Sequence, residues 1–462
     1  MEKQTGNILK KIIPLLCIVP FGLGTAGYIL AGERVTDALY YSFSLYFVNL
    51  NSDAYNVAIE IARWLAALVT TVGVLYVLRQ IWMKLERRFQ CCRRDSVAVY
   101  SDEDLRITFQ KKAHPVIYCG RNLCPAAKSQ IIMLNTDADS LSFYEEHKEH
   151  MKHGNIYIGL KEIEYGLMKD APNVTFYDID GAIARILWKS IGLWEQGRKE
   201  LAITILGNGH LGQNILNYGL LLNLFSLDQK LSYHFIGSDS LYQAAHGGIK
   251  TCNKDSVTYH SSDDNIWDIM KQSDLVIVSE KVSVEMLQAI GICCKNSSVY
   301  YYAPQNGVPA EYLNLPNIKP FGRDTEIYTD ENIRGGKLIE QAKKLNYDYA
   351  MKYGGMVHTD AEQEWNKLDG FLKWSNISSA DFNEVLRALI HLKPNMDKEE
   401  LAELEHIRWC RFHFLNYWEY GVPENGAAKD KDKKIHKCLC AYSEMSEEDK
   451  AKDRAVVEFS SI

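Results

Sequence analysis

The sequence has no CxxC pair, and its eleven cysteines are scattered, with the vicinal pairs Cys91-Cys92 and Cys293-Cys294 poorly placed to bridge each other. A disulfide scaffold needs regular spacing, so this pattern argues against one. His436, Cys438 and Cys440 lie close in sequence, but a fourth ligand at zinc-like spacing is missing, so no metal site is expected. Positive charge is short as well: 52 Lys and Arg stand against 59 Asp and Glu, a net charge of −7. A protein that coats a polyanion needs clustered positive charge, so nucleic acid is not an expected partner. Apolar residues are not scarce: 47% hydrophobic and 11% aromatic composition exclude a largely disordered chain. The 462 residues correspond to about three domains at ~150 residues each.

What is present begins with an apolar block. Ile12 to Gly32, IIPLLCIVPFGLGTAGYILAG, carries no charge and is long enough for a bilayer core of ~30 Å at ~1.5 Å per residue. Val57 to Trp82 is a second candidate, with WLAALVTTVGVLYVL between Arg63 and Arg79, whose stems can snorkel to the interfaces. Two spans in succession favour a helical hairpin over a cleaved signal peptide. Lys3, Lys10 and Lys11 precede the first span, and Arg79, Lys84, Arg87, Arg88, Arg93 and Arg94 follow the second, whereas the linker has only Arg34. The positive-inside rule then places both termini in the cytoplasm of a multi-pass inner-membrane protein. The linker's Ala38-Leu39-Tyr40-Tyr41-Ser42-Phe43 reads as an amphipathic helix at interface depth. Span, re-entrant helix and span is the plan of two-helix potassium channels, but LYFVNLNSD stands where the TVGYG carbonyl ladder would be. Asn49, Asn51 and Asp53 are the candidates to line a less selective pore; the alternative is a plain hairpin with an aromatic belt.

From about residue 95 short apolar runs alternate with helical segments, the signature of parallel α/β units. Strands are expected at Ser96–Tyr100, Pro115–Cys119, Gln130–Leu134, Asn155–Gly159 and Val174–Tyr177, closed by a helix near Gly181–Gly192. A second set follows at Leu201–Leu206, Ser232–Ile236, Asp274–Val278 and Ser298–Tyr302. The second set carries ITILGNGHLGQNI, in which Gly207, Gly209 and Gly212 fit GxGxxG between strand and helix. The first glycine permits the turn, the second lets backbone approach a pyrophosphate, and the third lets helix and strand pack. Asp239 is the candidate for the ribose hydroxyls, farther along than the usual ~20 residues. In the first set Ser101-Asp102-Glu103-Asp104 places three carboxylates where a phosphate would sit, so this copy is expected to be structural or dimerising. No residue constellation for hydride transfer stands out, since His210 sits inside the glycine loop and His246 and His260 are isolated, and the chain is not expected to be an enzyme.

Tandem Rossmann-like halves behind a two-span segment resemble the ligand-sensing domains of regulated potassium channels and TrkA-type (RCK) transport subunits, over approximately residues 95–330. The resemblance implies NAD, ATP or a related nucleotide as effector and oligomerisation through paired domains.

Residues 397–456 contain LAELEHIRWCRFHFLNYWEYG and HKCLCAYSEMSEEDKAKDR. They resemble the RyR repeat domain of ryanodine receptors and many prokaryotic proteins, at Glu405, His406, Trp409, Trp418, Tyr420, Gly421, Lys434, His436, Leu439, Tyr442, Lys450, Asp453 and Arg454. Trp409 and Trp418 are nine residues apart, about 180° on one continuous helix, so at least one is free to leave the local core. Trp418 and Tyr420 flank a turn at Gly421, and with Arg408, Trp409, Lys434 and His436 they form a candidate site for a base and a phosphate. The alternative is that these aromatics only hold two short helices together. The resemblance implies a messenger containing adenine and ribose: a cyclic ADP-ribose-like molecule, a cyclic oligonucleotide, or NAD or ATP.

The expected organisation is a two-span segment at 1–94, a degenerate Rossmann-like domain at 95–196, a nucleotide-binding Rossmann-like domain at 197–335, a helical connector at 336–395 and a mainly helical RyR-like domain at 396–462. The expected function is a nucleotide-gated membrane effector in antiphage signalling, in contact with membrane lipid and assembled as a tetramer or dimer. The alternative is an NAD- or ATP-regulated potassium channel or transport subunit.

Overall fold

The chain divides into two compact units, Met1–Arg93 and Arg94–Ile462. The computed structural model describes residues 18–49, 52–102, 105–109, 115–162, 173–261, 264–305, 314–354, 360–424 and 426–460.

Small residues let the helices of the N-terminal unit approach. On α1 (Ile18–Leu30), a Cβ at Gly27 would meet Ile59 Cγ1 at 2.8 Å and one at Gly24 would meet Ser42 Oγ at 3.0 Å. A short helix α2 (Val35–Ser44) and a single 3-10 turn (Leu45–Phe47) lie in sequence between α1 and the long α3 (Val57–Cys91). Asn56 ties the two longer helices together: its Oδ1 accepts from Ile59 N at 2.9 Å, capping α3, and its Nδ2 donates to the Gly27 carbonyl at 2.6 Å. Thr70 Oγ1 donates to the Tyr46 carbonyl at 3.0 Å, and Tyr28, Ala38, Leu45, Ile59, Ala62 and Ala66 form the core.

Among the described residues one helix, α3, is long and apolar enough to cross a membrane; its best window has a mean hydropathy of 1.9 and is 11% buried. It runs nine residues beyond the expected end at Trp82, to Cys91. The first expected span is described only from Ile18, since Ile12–Cys17 lie outside the described residues, and a two-helix span is therefore not established. Asn49 and Asp53 are exposed, and Asn51 lies outside the described residues.

The larger unit opens with a five-stranded sheet in the order β2-β1-β3-β4-β5, every pair parallel. Its strands are β1 (Val97–Tyr100), β2 (Val116–Tyr118), β3 (Ser129–Ile132), β4 (Asn155–Leu160) and β5 (Val174–Asp178). β1 and β3 are buried along their whole length, as continuous apolar runs in parallel sheets are. Helix α4 (Asp137–Met151) links β3 to β4, and α5 (Ile179–Ile191) and the short α6 (Leu193–Gln196) follow β5. Of the three carboxylates expected to disfavour a phosphate after β1, one is described. Asp102 is paired in a fork with Arg121, through Nε at 2.5 Å and Nη2 at 2.6 Å, while Glu103 and Asp104 lie outside the described residues.

The second sheet has six parallel strands in the order β11-β10-β9-β6-β7-β8, the 3-2-1-4-5-6 order of a doubly wound dinucleotide fold. They are β6 (Glu200–Leu206), β7 (Lys230–Ile236), β8 (Ser256–His260), β9 (Leu275–Val278), β10 (Ser298–Tyr302) and β11 (Ile318–Phe321), with α7 (His210–Leu222), α8 (Ser240–His246), α9 (Ile266–Gln272) and α10 (Val284–Cys293) between them. Short helices α11 (Asp324–Ile327) and α12 (Asp330–Ile333) lead to α13 (Gly336–Tyr353), α14 (Ala361–Asn366), α15 (Gly370–Leu392) and α16 (Lys398–Leu415). A small sheet of β12 (Glu419–Tyr420), β14 (Ile435–His436) and β13 (Lys429–Asp430) and a last helix α17 (Glu447–Ser460) complete the unit.

One large buried cluster joins the parts of this unit, from Val99 through Trp188, Leu216, Phe382 and Phe412 to Val457, beside smaller clusters such as that of Ile236, Val276 and Val299. Its hinge point is a missing side chain: a Cβ at Gly219 would meet Trp188 Cζ2 at 2.9 Å, and Trp188 Nε1 donates to the Ile215 carbonyl at 2.8 Å. α5 of the first sheet thereby lies directly on α7 of the second.

Candidate ligand sites

The glycine loop sits where the strand order reverses, between β6 and β9, the place where ligands enter such sheets. Ser279, the residue after β9, holds the two strands: its N and its Oγ both donate to the Leu206 carbonyl, at 2.9 and 3.0 Å. Gly207 has φ +143°, and a Cβ there would lie 2.2 Å from Ser279 Oγ. A Cβ at Gly212 would lie 2.9 Å from the same oxygen and 3.2 Å from Phe235 Cζ. Gly209 is different: a Cβ there meets nothing within 4 Å, and as the N-cap of α7 it offers no side chain to the first turn. Two glycines are thus needed for packing, and the third leaves open space at a helix N-terminus, which favours an anion.

Asp239 lies three residues after β7, the neighbour of β6, and caps α8 by accepting from Leu241 N at 2.8 Å and Tyr242 N at 3.2 Å, both through Oδ1. Its late position comes from the segment 223–229, which separates α7 from β7. His210, in the loop itself, has its Nδ1 3.5 Å from Asp180 Oδ2, and the same nitrogen accepts from Asn214 Nδ2 at 3.0 Å.

A second site is a cavity of about 440 Å³ walled by α13–α17 and the small sheet. Of the six residues proposed from the sequence for this region, Arg408, Trp409 and His436 line it and Trp418, Tyr420 and Lys434 do not. Arg408 is not available to a phosphate: it is 1% exposed, its Nε and Nη2 bond Glu405 at 2.7 and 2.8 Å, and its Nη1 donates to Ser378 Oγ at 2.9 Å. α16 ends at Leu415, so the nine-residue spacing does not run along one helix, and Trp418 (6% exposed) stacks on Phe371 in the core. Tyr420 is 54% exposed on β12, and Lys434 Nζ donates to the Asn416 carbonyl at 3.2 Å and sits over the Tyr417 ring.

The rest of the wall mixes charged residues, Lys429, Lys452, Asp449 and Asp453 among them, with an aromatic and imidazole group. The Trp409 ring centroid lies 4.1 Å from that of His413 and 4.9 Å from that of His436. Desolvation holds His413 down to about 3 and, with help from Lys429 and Lys452, His436 down to about 4, so both rings are neutral near pH 7. His436 Nδ1 accepts from Cys438 N at 3.1 Å, which leaves the proton on Nε2. His406 behaves in the opposite way: burial opposes its charge, but the Asp453 carboxylate, 3.3 Å from Nδ1, outweighs burial and raises it. Nothing in the sequence pattern signalled the contributions of α13 and α15, which supply Tyr349, Ser375 and Ser379 to the wall.

The neutral His413 has a consequence for stability. Between its unfolded value of ~6.5 and about 3 in the folded chain, the unfolded state binds the extra proton, so stability is lost as pH falls through that window. Urea unfolding of the full chain at pH 7 and pH 5 should show this loss, and His413→Phe should reduce it.

No family model matches the chain, the RyR-like segment 397–456 included, and no curated protein matches it. Two solved structures are similar in outline. One is described as the crystal structure of GsuK bound to ADP, at 12% identity over 72% of this chain and 96% of that chain, with a TM-score of 0.31. The other is the LpoA (YraM) C-domain from Haemophilus influenzae, a regulator of PBP1A, at 12% identity over 63% of this chain and 87% of that chain, with a TM-score of 0.27. At these scores neither protein's ligand nor its role transfers to this chain.

Proposed function

We propose that the chain is a nucleotide-gated membrane protein: its Arg94–Ile462 unit binds an adenine nucleotide, and occupancy biases the state of the N-terminal unit. The observation that carries the reading is the bare N-terminus of α7 at Gly209, at the strand-order reversal of a sheet wound as dinucleotide folds are. The exposed apolar surface of α3 supports contact with lipid; a multi-pass inner-membrane location with both termini cytoplasmic rests on the basic residues flanking the two apolar stretches of the sequence. A ligand shifts such an equilibrium only by its differential affinity for the two states, so the unit must bind it more tightly in one arrangement of a tetramer or dimer. The role is one of binding, not catalysis. Antiphage signalling by a cyclic messenger rests on the RyR resemblance alone. A second reading, an NAD- or ATP-regulated potassium channel or transport subunit, is favoured by the succession of α1, the short α2 and α3, with Asn49 exposed after the turn.

The Trp409 cavity suits a planar heteroaromatic ring, which stacks on an indole for ~1–3 kcal/mol. Calorimetric titration of the full chain in nanodiscs with NAD, ATP, ADP-ribose, cyclic ADP-ribose isomers and cyclic dinucleotides tests both sites. A ligand of the cavity should lose about tenfold or more in affinity on Trp409→Ala, because 1.4 kcal/mol is tenfold. Trp418→Ala should instead lower stability, since its ring is packed on Phe371. Absence of binding by every nucleotide would sink the reading.

A further inference from the structure

A cavity of about 340 Å³ opens between β5 and α5 on one side and α12, α13 and α15 on the other. None of Gly207, Gly209, Gly212 and Trp409 lines it. Tyr177 Oη donates to the Ile327 carbonyl at 3.0 Å, which ties β5 to the end of α11 and so to the segment that leads into α12.

Helix α5 brings Arg185 and Lys189, one turn apart, to the same wall. Both face Asp381 of α15, whose side chain is 1% exposed, but they do so unequally. Lys189 Nζ lies 2.6 Å from Asp381 Oδ1 and 2.6 Å from Glu384 Oε2. Arg185 Nε is 3.8 Å from Asp381 Oδ2, too far for a hydrogen bond, and it is buried with no other partner. The Arg185 carbon Cζ sits over the Tyr218 ring at 6.0 Å from its centroid, and the side chain stays 19% exposed on the cavity wall. Lys189 thus holds Asp381, while the Arg185 fork of five N–H donors has no carboxylate at hydrogen-bond distance among the described residues. A sheltered cation left in this state gains from any ligand that pairs with it.

The rest of the lining decides which ligand that is. Phe176, Ile186, Leu338, Trp374 and Ile377 present apolar surface that is only partly buried. Asp178, Glu331 and Glu384 stand in the same wall against the three cations Arg185, Lys189 and Lys337, so the lining has no surplus of positive charge for a polyphosphate. One carboxylate matches the planar fork, and an apolar body covers the walls.

We propose that this cavity is a binding site for a small monocarboxylate with an aromatic or branched aliphatic body, its carboxylate held by the Arg185 guanidinium. Such a site needs no nucleotide elsewhere in the chain, and its occupant touches α13 and α15, which also wall the Trp409 cavity.

The test is calorimetric titration of the full chain in nanodiscs with 3-phenylpropionate and 4-methylpentanoate. At least one acid should bind at one site per chain, and its primary amide, which lacks the charge, should bind about tenfold more weakly or worse. Arg185→Gln should weaken the acid by the same factor and leave the amide unchanged. Photolabelling of the unaltered chain with a diazirine-bearing benzoate decides the matter even where that variant fails to fold. The label should fall in the peptides carrying Phe176, Ile186 or Trp374, and 3-phenylpropionate should suppress it. Binding of neither acid, equal binding of acid and amide, or a label confined to other segments would overturn the proposal.

Discussion

Gly209→Asp should leave the chain folded and weaken nucleotide binding at the glycine loop by at least about 100-fold. The side chain has room, since a Cβ at this position meets nothing within 4 Å, and aspartate is a good N-cap, so α7 gains a partner for its first turn. That same carboxylate takes the amides a phosphate would use and repels it; a like-charge contact costs several kcal/mol, and ~3 kcal/mol is about 100-fold. Gly207→Ala makes the opposite case, because its methyl would lie 2.2 Å from Ser279 Oγ at a φ of +143°. Its effect should be on thermal stability first. Calorimetry of the two variants in nanodiscs, with melting curves beside it, separates a binding loss from a folding loss. Unchanged affinity for Gly209→Asp would move the nucleotide out of this loop and leave the Trp409 cavity as its place.

The second large effect is expected from Arg411→Ala, a loss of about 3–5 kcal/mol in stability. Arg411 and Asp255 face each other at 2.7 Å with both side chains 0% exposed. The arginine also donates to the Leu220 carbonyl at 2.8 Å, so it links α16 to α7 as well as to the loop before β8. Asp255 accepts in addition from Leu231 N at 2.7 Å and Gln229 Nε2 at 2.8 Å. Removing the arginine leaves a buried carboxylate without its counter-charge and the carbonyls of Thr251 and Leu220 without a donor. Asp255→Asn should cost less, because the amide still accepts at one atom. The double variant should lose less than the sum of the singles, the mark of a direct pair. Denaturant unfolding of the full chain in detergent, followed by the fluorescence of its tryptophans, reads the differences.

Local pattern made much of the fold legible. Val97–Tyr100 and Leu275–Val278 are short, wholly apolar runs, and such runs are strands when a sheet is buried on both faces. The glycine loop was legible for a local reason too, since Gly207 and Gly212 answer steric demands at Ser279 and Gly209 leaves the N-terminus of α7 bare. β8, Ser256–His260, was not foreseen, because SVTYH lies only partly buried at the sheet edge and carries no strong apolar signal. β11, IKPF, has its proline on an edge strand, where the missing N–H is tolerated. The ligand residues near the C-terminus were less legible, because their roles depend on long-range partners. Arg408 reads as a phosphate ligand until Glu405 and Ser378 are seen to take its donors, and Trp418 reads as a free ring until Phe371 is found against it. Likewise the Arg411–Asp255 pair spans 156 residues and leaves no periodic trace in the sequence.

The most direct test of nucleotide control over the membrane unit is ion flux from liposomes carrying the reconstituted full chain, measured before and after each nucleotide is added to the face bearing the Arg94–Ile462 unit. The account expects one nucleotide to change the flux, and Gly209→Asp or Trp409→Ala, according to where that nucleotide binds, to abolish the change while the protein stays in the bilayer. Flux indifferent to every nucleotide, or recovery of the chain in the aqueous phase instead of the bilayer, would contradict it.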